Sequence, residues 1–225
     1  MRTWREGWND RIAATEDADA VDRDIDALIN AVSAVPPGMV RRPQVAPREI
    51  PFDVVSGTAE TPVGFLSLAL TPRGLVSCSF DSEDTVLPRL ARAVSPRIGP
   101  HDAWLEPVRQ ELNAYFEGRL TAFTVPLDLR LTSDFGRVVL RSLLDVPYGS
   151  TTFHTDLAAR IGRASATRAV ANTLATNPLC LFLPCHRVVP PDYPGECGPY
   201  TGGTAAKQYL LRLERERRSP KTPAF

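Results

Sequence analysis

The sequence predicts an α+β chain, with short antiparallel strands first and packed helices after them. Three observations carry that reading. The stretch "FDVVSGTAETPVGFLSLALTPRGLVSCSF" alternates apolar and polar residues around turn signals at "TPVG" and "TPRG". From Phe135 onward the apolar spacing turns helical. Within that part, "TDLAARIG" and "SATRAVANTLAT" read as two short helices joined by a tight turn, a helix-turn-helix.

Composition sets the limits. The chain has 225 residues, 43% hydrophobic and 23% charged, which fits a soluble globular protein of one large domain or two small ones. No run approaches the roughly 18 apolar residues of a membrane span, so no membrane partner is expected. The N-terminal stretch "MRTWREGWNDRIAATEDADA" lacks the apolar core of a signal peptide. The expected setting is the reducing cytoplasm, where Cys78, Cys180, Cys185 and Cys197 are free thiols. Net charge is zero but uneven: from Phe135 to the end there are 12 Lys/Arg against 6 Asp/Glu, and before it 14 against 20. A basic half points to a polyanion such as nucleic acid, or else to an ordinary solvated surface.

Residues 1–48 read as an N-terminal helical extension and linker. Val21, Ile25, Leu28, Ile29 and Val32 stand at helical spacing, "PPG" ends the pattern, and "MVRRPQVAPRE" follows as a proline-rich linker. Such a helix needs something to pack on, and an unknown partner is one expectation. Residues 49–130 read as a small α/β domain. Cys78, in "LVSCSF", is a strand core residue; Val108, Leu112 and Phe116 space a helix; "TAFTVPLDLRLT" is extended.

Residues 131–225 form the helical part. Val138, Val139, Leu143 and Leu144 are expected on one face of a helix that stops at "PYG". Ser165 is a plausible N-cap for the next-but-one helix. There Ala166, Ala169, Val170 and Leu174 make an inward stripe, and Arg168, Ala171, Asn172 and Ala175 the opposite face. A small, flat face around one cation suits close approach to a phosphodiester backbone, or is a plain surface with an exposed arginine. The last helix turns Ala206, Tyr209, Leu210 and Leu213 inward.

The adjacent pair Cys185–His186, in "LFLPCHRVV", has three readings. Zinc sites space their ligands in pairs two to four residues apart; no CxxC exists, and His101 and His154 stand far off, so no metal is expected. A core thiol fits Cys180, inside the apolar run, better than Cys185 after Pro184. A nucleophile needs a base and a group to orient that base, because a free thiol with pKa about 8.5 is mostly protonated at neutral pH. Neighbouring side chains on a strand point apart. His186 would therefore act through a bridging water unless the backbone bends sharply, and Glu214 is a candidate acceptor for its ring. A cysteine hydrolase would use the same residue types.

"PCHRVV" resembles the active-site motif of the alkylguanine-DNA alkyltransferases, the methylated-DNA–protein-cysteine methyltransferases. "AYFEGRLTAFTVPLDL", "VPYGSTT", "DLAARIG", "RAVANTLATNP" and "GPYTGGTAAKQYLL" resemble that family in the same order, and "TPVGFLSLALTPRGLVSCSF" resembles its N-terminal domain. The match spans residues 50–216 and leaves the first 48 unexplained. The resemblance implies a small α/β domain with a three-stranded antiparallel sheet, then a mostly helical domain with a helix-turn-helix. It implies a monomer that binds double-stranded DNA in the minor groove, flips an alkylated guanine out of the stack, and takes the alkyl group irreversibly, without a cofactor. Cys185 matches the alkyl acceptor, His186 the water-mediated base, Glu214 the acid that orients it, and Asn177 the asparagine that holds the active-site turn. Arg168 matches the arginine that fills the gap of the flipped base, with Ala171 and Asn172 beside it on the DNA-facing helix. Tyr200, Thr201 and the Val188 carbonyl match the guanine pocket. Arg187 is expected to be structural, paired with a carboxylate.

The sequence departs from the family pattern in three places. His154 stands where a tyrosine is usual; an imidazole can still donate a hydrogen bond toward the departing base. Ala171 replaces a glycine in the DNA-facing helix. The loop "PPDYPGECGPY", which carries Cys197, is longer than the pattern. Ligands of the zinc site of some relatives have no counterparts, so no structural zinc is expected. A non-catalytic lesion-binding relative is the competing function; such proteins replace the cysteine, which is present here.

Overall fold

A computed structural model describes residues 52–218. The expected N-terminal extension lies outside the described residues. Eight-residue strands β1 (Val54–Thr61) and β2 (Gly64–Thr71) and the shorter β3 (Gly74–Ser79) form an antiparallel meander. Both hairpins close on the predicted turns, pairing Thr61 with Gly64 and Thr71 with Gly74. Gly74 has φ 140°, and a Cβ there would lie 2.2 Å from the Pro126 carbonyl oxygen, so this turn needs glycine.

The sheet has four strands rather than the three expected. Helix α1 (Glu83–Ala93) leads to β4 (Ile98–Pro100), which adds parallel to β1 and gives the order β3-β2-β1-β4. Three residues are too few for an alternation to show in sequence. Successive strand residues serve opposite faces. Val54, Ala69 and Val76 pack with Val86 and Leu90 of α1. Val55, Leu66, Leu68 and Leu75 share the main core with α2 (Asp102–Phe116), through Leu105, Val108 and Leu112.

The helical part starts with α3 (Asp134–Ser142), capped by Ser133, whose hydroxyl accepts from the Gly136 amide at 3.2 Å. A 3-10 turn, Leu143–Asp145, follows it. Val138 and Leu144, expected inside, are exposed; Val139, Leu140 and Leu143 are buried. Adjacent helical residues differ by about 100° around the axis, so one of each neighbouring pair must turn out.

Helices α4 (His154–Arg160) and α5 (Thr167–Ala175) form the helix-turn-helix, with Gly162 at φ 70° between them. A 3-10 turn over Ala164–Ala166 precedes α5. Ser165 sits in that turn and does not cap the helix, whose N-cap position is Ala166 with no side-chain bond. The turn also changes the phase of the stripe: Val170 and Leu174 are buried, but Ala169 is exposed and Ala166 half-buried. Strand β5 (Thr152–Phe153) pairs in parallel with β6 (Val188–Val189), and α6 (Gly203–Arg218) closes the fold. Helix α6 buries Ala206, Leu210 and Leu211, with Tyr209 and Leu213 half-buried. No helix of the described residues is long and apolar enough to cross a membrane.

The Gly74→Ala variant should lose about 2 kcal/mol or more of unfolding free energy in urea titration, because it combines a left-handed backbone with a clash against a carbonyl. A loss below about 0.5 kcal/mol would mean that the β2–β3 turn does not press on the Pro126 segment as described.

Candidate active site

The segment after α5 is buried without being a regular strand. Leu179 bridges Cys78 of β3 in parallel, with Cys78 N to Pro178 O at 2.8 Å and Cys180 N to Cys78 O at 2.9 Å. The chain then winds back on itself: Leu183 N bonds Leu179 O at 2.9 Å, and Cys185 N bonds Leu183 O at 2.7 Å. Leu181 takes φ 70° to allow this. A positive φ is an outlier for a bulky residue and persists only where the surroundings enforce it. Cys185 opens a 3-10 turn, Cys185–Arg187, which supplies the sharp bend that separates it from the extended geometry of a strand.

Asn177 ties this segment together. Its side-chain Nδ2 donates to Leu183 O at 2.9 Å and to Cys185 Sγ at 3.2 Å, while its Oδ1 accepts from Leu179 N at 3.0 Å. Cys180 Sγ lies 3.3 Å from Thr201 Oγ1 and 3.6 Å from Asn177 O. The Cys185 thiol is held below its ordinary value. A hydrogen bond from Cys180 lowers it most, burial works the other way, and Asn177 and the Lys207 charge lower it further.

Behind the turn stands Glu214 of α6, 1% exposed. It accepts from His186 Nε2 at 2.9 Å, from Tyr115 Oη of α2 at 2.7 Å and from the Gly149 amide at 2.9 Å. Arg187 grips both of its oxygens, Nε to Oε2 at 2.9 Å and Nη2 to Oε1 at 3.0 Å, and gives Nη1 to the Val146 carbonyl at 2.7 Å. Burial alone would raise the Glu214 carboxyl, but the bonds and charges of His186 and Arg187 outweigh it and hold the group at about 2. The carboxylate is ionised and can only accept, so Nε2 of His186 carries the hydrogen. Burial pushes the His186 ring down from its ordinary value, against the pull of Glu214. The ring is therefore neutral at pH 7. Its Nδ1 is buried with no protein partner and keeps a lone pair.

Of the remaining predicted residues, Tyr200, Thr201 and Val188 lie beside this segment, and the others are placed apart from it. Tyr200 packs edge-on against Phe80 at 5.5 Å and lies 6.4 Å from the His186 ring. Its hydroxyl is buried without a partner. The Val188 carbonyl accepts Lys207 Nζ at 2.7 Å and, with two lone pairs, keeps room for a second donor. His154, the first residue of α4, is half-buried; burial, then the Lys207 charge, lowers its ring below the ordinary value. Arg168 and Asn172 are exposed on the outer face of α5, with Ala171 half-buried between them. Among the described residues, no three His, Cys, Asp or Glu side chains group in a way that could hold a metal ion.

Two site residues went unread in the sequence. Lys207 is 2% exposed, a buried cation that reaches the Val188 and Pro199 carbonyls and lowers Cys185 by its charge. Its position seven residues before Glu214 on the inward face of one helix was the available signal. Tyr115 sits on the inward face of its helix, but nothing local indicates a partner 99 residues away. The helix-turn-helix also exposes Arg160 and Arg163, and no acidic residue lies between Asp156 and Asp192.

Comparisons with known proteins agree with this geometry. A family model described as "6-O-methylguanine DNA methyltransferase, ribonuclease-like domain" matches residues 54–129. A second, "6-O-methylguanine DNA methyltransferase, DNA binding domain", matches residues 134–216. The chain is 39% identical over 170 residues to a methylated-DNA–protein-cysteine methyltransferase of Mycolicibacterium paratuberculosis, covering 72% of this chain and 93% of the relative. It is similar to the crystal structure of the Mycobacterium tuberculosis O6-methylguanine methyltransferase, with TM-score 0.64 and 34% identity over 75% of this chain and 96% of that one. It is also similar to Mycobacterium tuberculosis OGT in complex with DNA, with TM-score 0.60 and 33% identity over 73% of this chain and 94% of that one.

Acid should weaken the fold in two stages. Both His186 and Glu214 titrate lower when folded than their ordinary 6.5 and 4.5, so the unfolded chain binds more protons in each window and stability rises with pH there. Urea unfolding should show stability falling as pH drops below His186's ordinary 6.5, and falling again between Glu214's ordinary 4.5 and about 2. Glu214→Gln should lose the lower stage and cost about 3–5 kcal/mol at neutral pH, because Arg187 is left buried without its counter-charge. An unaltered acid profile in that variant would contradict the assignment.

Proposed function

The chain belongs to the methylated-DNA–protein-cysteine methyltransferase family, and on that premise we propose that it repairs DNA by moving an alkyl group from O6 of guanine onto Cys185. The observation that carries this is the buried thiol at the start of a bent turn, held by Asn177 and lowered below its ordinary value. A thiolate, not a thiol, is the nucleophile.

The helix-turn-helix brings the DNA. Arg160, Arg163 and Arg168 are exposed on a stretch without acidic residues, which supports contact with phosphates; the duplex lies with its minor groove against α5. Arg168 fills the space of the extruded guanine, and Ala171 and Asn172 face the backbone. The base enters the pocket bounded by Tyr200, Thr201 and the Val188 carbonyl. The thiol proton leaves through a water to Nδ1 of His186, whose other nitrogen Glu214 keeps protonated. The sulfur attacks the alkyl carbon. One S–C bond forms, the C–O6 bond breaks, and the electron pair goes to guanine. His154, a neutral imidazole, donates a hydrogen bond to the leaving base, and the proton that the base takes up is the one the thiol released, returned from His186 through water. The product is a thioether, which no group of the site can reverse, so each molecule reacts once. Nothing in this sequence of steps calls for a cofactor or a second copy of the chain. A free-thiol acceptor needs a reducing compartment, which supports the cytoplasm.

The test is direct. After incubation with a duplex carrying O6-methylguanine, intact-mass measurement should show a gain of one methyl group, mapped to Cys185 and absent in Cys185→Ala. Tight binding without a mass gain would overturn the transfer reading in favour of a lesion-binding protein. His154→Phe should bind the duplex but transfer roughly 10²-fold more slowly, the scale of a lost hydrogen-bond donor to developing negative charge. A transfer rate equal to that of the unmutated protein would remove His154 from the mechanism.

A further inference from the structure

Phe80 stands one residue beyond β3, in the sheet half, yet its ring packs on the loop that carries Tyr200 and Thr201. Phe80 meets Tyr200 edge-on, with ring centroids 5.5 Å apart and planes at 73°. Tyr200 in turn meets His186 edge-on at 6.4 Å. It therefore contacts one ring from the sheet half and one from the turn that carries Cys185. Gly202 shows how close the Phe80 ring comes. A Cβ there would lie 2.6 Å from two carbons of that ring, shorter than any ordinary contact. Gly202 does not take a positive φ, so its backbone would accept another residue. The ring is what excludes one.

The end of the sheet that presents Phe80 is braced. Ser67 Oγ of β2 donates to Asp81 O at 2.7 Å. Ser79 Oγ donates to the Asp81 carboxylate at 2.9 Å and accepts from the Asp81 amide at 3.0 Å. Two residues before Phe80, Cys78 makes the backbone bonds to Pro178 and Cys180. One strand edge thus holds both the segment that leads to Cys185 and the turn that carries Tyr200 and Thr201.

We propose that Phe80 is a positioning residue for base capture: its ring sets the Tyr200–Gly203 turn against the Cys185 segment, at the spacing that lets the pocket take an extruded alkylated guanine. This deepens the alkyl-transfer reading and rests on it. Phe80 acts through Tyr200 and Gly202 and does not itself touch the base. The Tyr200 hydroxyl is buried without a partner. Such a group gains by turning out to water, so packing has to keep it in. Gly203 N closes the turn onto Tyr200 O at 2.9 Å, and Lys207 reaches Pro199 O at 3.4 Å. Both are bonds to the backbone and do not fix the Tyr200 ring. The edge of Phe80 does.

The test reads base capture without the reaction. In the full chain carrying Cys185→Ala, affinity for a duplex with O6-methylguanine is divided by affinity for the same duplex with guanine, both from fluorescence anisotropy. Phe80→Ala and Phe80→Leu should lower this ratio by about three- to tenfold, the scale of a lost edge-to-face pair, and leave the affinity for the unmodified duplex unchanged. Gly202→Ala should lower the ratio while Phe80 is present. In the Phe80→Ala background it should change the ratio by less than about twofold, because the added methyl then meets no ring. With Cys185 restored, methyl transfer in Phe80→Ala should slow by about the same factor as the ratio falls, while iodoacetamide labelling of Cys185 keeps its pH midpoint. An unchanged ratio overturns the proposal, as does a Cys185→Ala parent with no preference for the modified duplex. A ratio that falls together with the unmodified-duplex affinity or with a moved labelling midpoint also overturns it, since that marks a general loss of fold. So does full additivity of Phe80→Ala and Gly202→Ala. Absence of methyl transfer in the unmutated protein counts against the alkyl-transfer reading alone, because the ratio is read without transfer.

Discussion

A single ionised carboxylate, Glu214, accepts hydrogen bonds from a helix of the sheet half, from the loop before the helix-turn-helix and from the turn that carries the acceptor thiol. Tyr115, Gly149 and the adjacent pair His186–Arg187 come from three separate parts of the chain. Their common partner fixes the position of each relative to the others. The cost of taking a carboxylate out of water is met by a bidentate arginine and three further donors, which is the condition under which a buried charge is tolerable. Because Arg187 carries the compensating charge, His186 is free to remain neutral. The site thus keeps an uncharged imidazole next to the buried thiol.

That division of labour explains why adjacent residues Cys185 and His186 serve different neighbours. The 3-10 turn sends the sulfur toward Asn177 and the ring toward Glu214. The mutual direct contact that adjacency suggests on paper is absent from the hydrogen bonds of either residue. Elsewhere, Lys207 donates to the Val188 carbonyl and its charge acts on the His154 ring. Burial first, and the Lys207 charge second, lower the His154 ring, so it is neutral at neutral pH.

Much of this could be read in the sequence, and the unread remainder has physical causes. The two tight hairpins were legible because turn chemistry and alternation agree over eight-residue strands; β4 was not, because three residues hold no period. Cys185, Asn177 and Glu214 were legible because short motifs surround them. Tyr115 was not, since its partner is set by tertiary packing. The inner stripe of α5 was half right, because a 3-10 turn advances the helix phase before it begins. The apolar run before Cys185 reads as a strand or a core helix by composition. Only the positive φ at Leu181 turns it into a winding segment, and that angle has no signature in a leucine.

The bridge between Cys78 and Leu179 has a consequence of another kind. Strand β3 ends the sheet on one side, and the backbone N–H and C=O of Cys78 face outward there, spoken for only by Cys180 and Pro178. An uncovered margin of this sort is a template on which other chains can stack. The segment that carries the nucleophile is therefore also the cover that keeps copies of the protein from adding to one another. Lengthening or rerouting it would threaten solubility before it altered chemistry, and that ties the freedom of the reactive segment to the self-avoidance of the whole molecule.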